Sequence, residues 1–439
     1  MIDQNYLTSL KRYVSFKSIS TDPAYGSEME NQRLWLKELL EKSGFKVESL
    51  ENTGGNTLVF GQYAVSPKAE TVLVYGHYDV QPATKDDGWE SNPFDLTEKN
   101  GRLVGRGVVD NKGQNLIHIL TVLDLIKQKR LKYNIKFLLE GDEETGATNW
   151  EKIFKNYKSK FSSDCILVSD GEIVGDRPAF EASFRGGFNL TLTYTTAKNN
   201  LHSGLFGGAV PNAAYELTKF LSKLFNAKNQ VAIPGFYDNV DPMSSSILRN
   251  NTEISTSGEI LKIAGTNQLL TEPGIDFYTQ TGLRPTLQVT GLKSGYIGEG
   301  YSNIVPATAE ARINFRVVKS QKPENILKAF EGFVKKNTPK YVTYSISHRP
   351  PHNPVKININ TPIAKEARHL LKKVYGSDPV IKYVGGAIPF ISSCKEILGV
   401  DALSISLGND DCNMHGVNEN FRIDLVEKGL KFSHLFFSS

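Results

Sequence analysis

Cysteine is scarce in this sequence: Cys165, Cys394 and Cys412 are the only three among 439 residues. Their number is odd and no Cys-x-x-Cys pair occurs, which excludes a disulfide framework and a thiolate metal knuckle and leaves reduced thiols. Cys412 stands three residues before His415, which raises the question of a ligand or nucleophile, but no general base for a thiol can be assigned nearby, so it reads as a core thiol. Long hydrophobic runs are missing too. No segment approaches the ~18 consecutive apolar residues of a spanning helix, and Met1-Ile2-Asp3-Gln4-Asn5-Tyr6-Leu7 lacks the basic start and apolar stretch of a leader. Neither sign of charge dominates, since 51 basic and 47 acidic residues leave a net +4 with no long basic run. Nucleic acid as the main partner is thereby excluded. There is no Walker-type phosphate loop, internal repeat or low-complexity tract, and Gly295-Tyr296-Ile297-Gly298-Glu299-Gly300 lacks the spacing and setting of a dinucleotide fingerprint. The expectation is a soluble, cytoplasmic protein with neither nucleic acid nor membrane as partner.

What is present is a set of apolar runs that stop at metal-type ligands. Thr71-Val72-Leu73-Val74-Tyr75 has the length and β-branched content of a buried strand and leads into Gly76-His77-Tyr78-Asp79. Tyr133 to Leu139 leads into Glu140-Gly141-Asp142-Glu143-Glu144-Thr145-Gly146, Asp164 to Ser169 into Asp170, and Ala402 to Gly408 into Asn413-Met414-His415-Gly416. Gly105 to Gly113 carries Asp110 ahead of a helical pattern from about Asn115 to Gln128, whose apolar face is marked by Leu116, Ile119, Leu120, Leu123 and Ile126. In open α/β sheets, sites form outside the carboxyl ends of the strands, so these ends can converge.

The length favours two domains. Helix and strand alternate at first, as in a parallel sheet with helices on both faces. After about Phe184 the style changes to period-two strands, Phe188 to Thr195 and Ala309 to Val317, with a helix pattern from Pro211 to Phe225 between them. That suggests an α+β module with one solvated sheet face. Beyond Pro350-Pro351 the α/β style returns, with helices near Thr361 to Val374 and Leu425 to Phe436. The expected organisation is a metal-binding catalytic α/β domain, residues 1–185 completed by 350–439, with a lid domain, 186–349, inserted into it.

Imidazole nitrogen with carboxylate oxygen suits zinc, and also manganese or cobalt. Two ions sharing one carboxylate activate water and polarise a carbonyl, and Asp110 is the natural bridge. Asp79, two residues past His77, fits a carboxylate that accepts the other N–H of a ligand histidine. Adjacent Glu143 and Glu144 on a turn cannot face the same way, so one can bind metal while the other stays free as general base.

These pieces resemble the dinuclear zinc exopeptidase and deacylase family that includes carnosinase-type dipeptidases, bacterial glutamate carboxypeptidase, aminoacylase and succinyl-diaminopimelate desuccinylase. The resemblance rests on Gly76 to Val80, Trp89 with Asn92-Pro93-Phe94, Gly105-Arg106-Gly107 with Asp110 and Lys112-Gly113, Glu140-Gly141 with Glu143-Glu144 and Gly146, and Ser169-Asp170. Leu201-His202-Ser203-Gly204 with Gly207-Gly208, and His415-Gly416 with Asn418-Glu419, extend it over nearly the entire chain. It implies that His77, Asp110 and Asp170 hold one divalent ion and Asp110, Glu144 and His415 the other. Glu143 is then the general base and Asp79 orients His77. The inserted domain mediates a homodimer, His202 stabilises the oxyanion in the partner's site, and Arg316 binds a substrate carboxylate. Trp89 and Phe94 read as packing.

One segment departs from the pattern. Where dipeptidase-like members carry Gly-Gly-Ser-Ile-Pro, this chain has Gly385-Gly386-Ala387-Ile388-Pro389. Ala387 has no hydroxyl, although backbone N–H groups of Gly386 and Ala387 remain to bind a carboxylate. Cleavage of dipeptides or short peptides is the first reading, and N-acyl-amino-acid deacylation or desuccinylation the alternative. The second acid often found after the bridging Asp is here Asn111, which need not bind metal.

Overall fold

The computed structural model describes residues 2–146, 148–255 and 257–438. The chain divides into two compact units. The first comprises Met1–Ala182, Ile357–Lys382 and Ile388–Ser439, and the second Ser183–Lys356 with Tyr383–Ala387. The second unit thus recruits a five-residue segment from well beyond the Pro350-Pro351 break, which period and composition do not reveal.

In the first unit the strands run side by side in the order Lys46–Leu50, Leu58–Tyr63, Asn134–Glu140, Thr71–His77, Cys165–Val168, Ala402–Ser406 and Ala179–Phe184. Thr71–His77 is parallel to both its neighbours, and Ala402–Ser406 is parallel to Cys165–Val168. Both flanks are antiparallel. The sheet is therefore mixed, with its parallel part in the middle, rather than mostly parallel. Parallel strands need cover on both faces, and alternate residues of the His77 strand supply two contact surfaces. Val72 and Val74 join a core with Leu116, Ile119, Phe432 and Phe436. Tyr75 stacks on Phe390 at 4.2 Å between ring centroids, beside Trp150.

The helix Lys112–Lys127 is buried on almost every side, with Ile117, Val122 and Leu125 enclosed as well as the expected apolar face. Such a helix is a core element rather than a surface one; Ile423–Phe437 packs along it. Trp89 and Phe94 are buried with Ile19, Val80 and Ala83.

The second unit is built on an antiparallel sheet in the order Thr286–Ser294, Thr308–Val317, Gly186–Thr195 and Thr343–His348. Residues of Thr308–Val317 alternate between buried and partly or fully exposed. The buried set, with Leu190, Leu192 and Tyr194, packs under Leu217 and Phe220 of Ala213–Ser222 and Phe330 and Val334 of Pro323–Asn337. Among the described residues, no helix is long and apolar enough to cross a membrane.

Candidate metal centre

His77 is the last residue of its strand, and Asp170 lies two residues beyond Val168, the end of the neighbouring strand. Glu143 and Glu144 occupy the turn after Asn134–Glu140, and His415 the loop after Ala402–Ser406. Asp110 precedes the core helix, and its peptide bond to Asn111 is cis. These positions bring the ligand atoms together.

Asp110 offers one oxygen to each histidine: Oδ1 is 2.9 Å from His77 Nε2 and Oδ2 is 2.8 Å from His415 Nε2. His77 Nε2 is 3.5 Å from Asp170 Oδ2, and His415 Nε2 is 3.2 Å from Glu144 Oε2. The result is two trios, His77–Asp110–Asp170 and Asp110–Glu144–His415, each with ligand atoms within 4.8 Å of one another and with Asp110 in common. One imidazole and two carboxylates in each trio fit a borderline divalent cation such as zinc.

The electrostatics are those of a site built for positive charge. Burial disfavours a charged His77, yet Asp170, Asp110 and Asp79 raise its pKa well above that of free imidazole. His415, hydrogen-bonded to Asp110 and Glu144, is raised to about 11. Burial pushes the Glu143 and Glu144 carboxyls up, with neighbouring carboxylates adding to the effect. A divalent ion in each trio would relieve this crowding of negative charge.

Asp79 does more than sequence reasoning assigned to it. The nearest acceptor to His77 Nδ1 is the Asp79 carbonyl oxygen at 3.0 Å, while its carboxylate Oδ1 stands at 3.4 Å. That carboxylate accepts the backbone N–H groups of Glu143 at 3.3 Å and Glu144 at 3.0 Å, and the Ser20 hydroxyl at 2.6 Å. Asp79 therefore ties the His77 strand to the Glu143–Glu144 turn. Asn111 is a tether as well: its amide donates to the Ser169 carbonyl at 2.6 Å and to Asp170 Oδ1 at 2.9 Å. A Cβ at Gly76 would lie 2.8 Å from both Asn111 Oδ1 and Asn115 Cβ, so glycine is required where strand and core helix approach.

The remaining predicted residues lie in the second unit. His202 is exposed on a short strand paired with Ile304–Val305, and its Nδ1 accepts the Gly204 N–H at 3.0 Å. A neutral imidazole accepting through Nδ1 carries its proton on Nε2, which makes that atom a donor. Arg316 is half-buried on the strand Thr308–Val317. Its charge acts on two neighbours: burial, then Arg316, lowers Arg185 to about 9 and His352 to about 4. Arg185 donates Nε–H to the Gly385 carbonyl at 2.8 Å, and its backbone N–H to that of Gly386 at 3.0 Å. Gly385 and Gly386, which lead into Ala387, are thus pinned by Arg185. His352 Nε2 is buried with no hydrogen-bond partner among the described residues. Neither Arg185 nor His352 was singled out from sequence. The signal for His352 was its place directly after Pro350-Pro351, which served only as a boundary. Cys165, Cys394 and Cys412 are free and buried, with Cys412 Sγ directed at Glu172.

A profile of peptidase family M20/M25/M40 matches residues 73–438. A Cys-Gly metallodipeptidase of Schizosaccharomyces pombe is 28% identical over 456 residues, covering 97% of this chain and 93% of its own. A beta-Ala-His dipeptidase of Rattus norvegicus is also 28% identical, with coverage of 98% and 92%. Among solved structures, an M20 family metallo-carboxypeptidase from Sulfolobus solfataricus superposes with a TM-score of 0.89 at 28% identity, covering 99% of both chains.

Proposed function

Because this chain belongs to peptidase family M20/M25/M40, we propose that the two trios sharing Asp110 are the dinuclear centre of its peptide hydrolysis. The protein is a metal-dependent dipeptidase; its relatives include Cys-Gly and beta-Ala-His dipeptidases matched over nearly their entire length. The observation that carries the site assignment is Asp110 presenting one oxygen to each of two histidines. His77 and Asp170 would complete one ion's ligands, Glu144 and His415 the other's. Zinc suits this donor set best, with manganese or cobalt as alternatives. When bound, the ions polarise the scissile carbonyl and acidify water.

Glu143 is the free carboxylate of the pair. It takes a proton from the attacking water, an uptake that burial favours by raising its pKa, and delivers that proton to the leaving amine nitrogen. His202 Nε2–H is the donor to the oxyanion. Its exposure supports a role across a homodimer, and the apolar side chains Leu205, Phe206, Leu292, Ile297 and Tyr301 of the same unit lie exposed. Arg316, with His352 and the N–H groups of Gly386 and Ala387, would receive the dipeptide's carboxylate.

The deacylase alternative drew on Ala387. It is not favoured, since the dipeptidase relatives match over more than nine-tenths of their length and a carboxylate can be held by Arg316 and backbone groups without the serine hydroxyl. The test of this substrate site is Arg316→Ala against Cys-Gly and β-Ala-His. KM should rise at least tenfold with protein still folded, and an unchanged KM would remove Arg316 from the site.

A further inference from the structure

Glu419 belongs to neither trio and is fully buried. Antiparallel pairing of Asn420–Arg422 with Arg102–Val104 sets it beside the segment that leads to Asp110. Its carboxylate is saturated on both oxygens. Oε1 accepts the backbone N–H groups of Val109 at 2.9 Å and Asp110 at 3.1 Å. Oε2 accepts the Gly107 N–H at 2.8 Å and the Arg106 guanidinium at 2.9 Å. Arg106 in turn donates to the carbonyl oxygens of His415 at 3.3 Å and Pro82 at 3.4 Å, and lies over the Trp89 ring, 5.2 Å from its centroid.

One buried ion pair therefore holds the main chain of both Asp110 and His415. His415 needs such support, because its φ of 61° is in the left-handed region, which L side chains other than glycine adopt only at a cost. A buried ion pair adds little net stability over an apolar pair of the same volume, whereas its geometry fixes two ligands that are far apart in sequence. The other trio has its own supports: His77 ends a central strand and Asp170 is tethered by Asn111.

We propose that Glu419 and Arg106 are positioning residues that set the spacing of Asp110 and His415, and with it the affinity of the Asp110–Glu144–His415 trio for its ion. The inference rests on the reading of the trios as metal sites. It is tested by calorimetric titration of metal-free wild type, Glu419→Gln and Arg106→Lys with zinc, alongside thermal unfolding of each metal-free protein. Wild type should take up two ions. Because Asp110 is common to both trios, Glu419→Gln should weaken both ions unequally, the ion of the Asp110–Glu144–His415 trio by roughly 10–100-fold and the other by clearly less. Arg106→Lys keeps a charge beside Glu419 but loses the donor to His415, and should weaken the ion of the same trio. Two ions at wild-type affinity in both variants, or equal weakening of both ions, would overturn the proposal. If Glu419→Gln does not fold, the selective loss in Arg106→Lys decides. A wild type that binds fewer than two ions would overturn the metal reading itself, and this inference with it.

Discussion

Glu143 and Glu144 are neighbours with different surroundings: Glu144 Oε2 lies 3.2 Å from His415 Nε2 and accepts the Gln81 amide at 2.7 Å, while Glu143 is outside both trios. Replacing Glu143 with alanine should cost about 10²–10⁴-fold in kcat, with the metal content, read by atomic absorption, unchanged. Asp110→Ala should lose both rate and metal, since both trios share this residue; two ions retained in that variant would contradict the bridging role. A third prediction concerns stability. His118 is enclosed between Ser169 and Ser433, and burial lowers its pKa to about 3. The unfolded chain binds this proton near pH 6.5 and the folded one does not, so stability falls as pH drops from about 6.5 towards 3. Between pH 7 and pH 4 this group alone should remove roughly 3 kcal/mol. Urea unfolding of His118→Gln at the two pH values should show a correspondingly flatter acid loss; an identical loss would refute the assignment. The residues of the two trios stood out in the sequence because His77, Glu144, Asp170 and His415 follow strand-like runs and Asp110 precedes a helical one. Ser20, Arg185 and His352 did not, because each acts through a contact made only in three dimensions, and no local period marks it.

At the scale of elements, strands and helices were legible where burial imposes a period. The run at Thr71 extends as a strand to His77, and the helix expected from Asn115 begins at Lys112, with Asn111 in the position before its first turn but bonded elsewhere. Two features escaped this reasoning. Sheet direction at the flanks did, because a strand's own sequence carries its period but not the sense of its neighbour. So did the attachment of Tyr383–Ala387 to the second unit, since a short segment pinned by Arg185 from far away has no local signature. Close approach explains a glycine that sequence alone could not rank. A Cβ at Gly113 would lie 1.8 Å from the Val108 carbonyl oxygen, at the start of the core helix and beside Asp110. Gly113→Ala should therefore destabilise by about 3 kcal/mol or more, at the upper end of overpacking effects. A melting temperature equal to wild type would show that the turn can yield.

For the whole molecule, the residues to which the proposed mechanism gives roles are divided between the two units, so no short motif would describe it. The two trios and Glu143 belong to one unit, and His202, Arg316 and the Gly386-Ala387 segment to the other. If His202 serves the partner's site, a mixture of His202→Ala and Glu143→Ala chains should recover activity in heterodimers verified by mass spectrometry. Neither parent homodimer has both groups, whereas one heterodimer site is intact. No recovery would argue for a site completed within one chain. The central claim, a dinuclear dipeptidase with Glu143 as base, is tested most directly by hydrolysis of Cys-Gly, β-Ala-His and an N-acetyl amino acid, using protein reconstituted with zinc, manganese or cobalt. Glu143→Ala at equal metal content is the control. Cleavage of the dipeptides, abolished in the control with two ions still bound, is the expected result; dipeptides left intact by the two-ion wild type, or cleaved equally by the control, would contradict it.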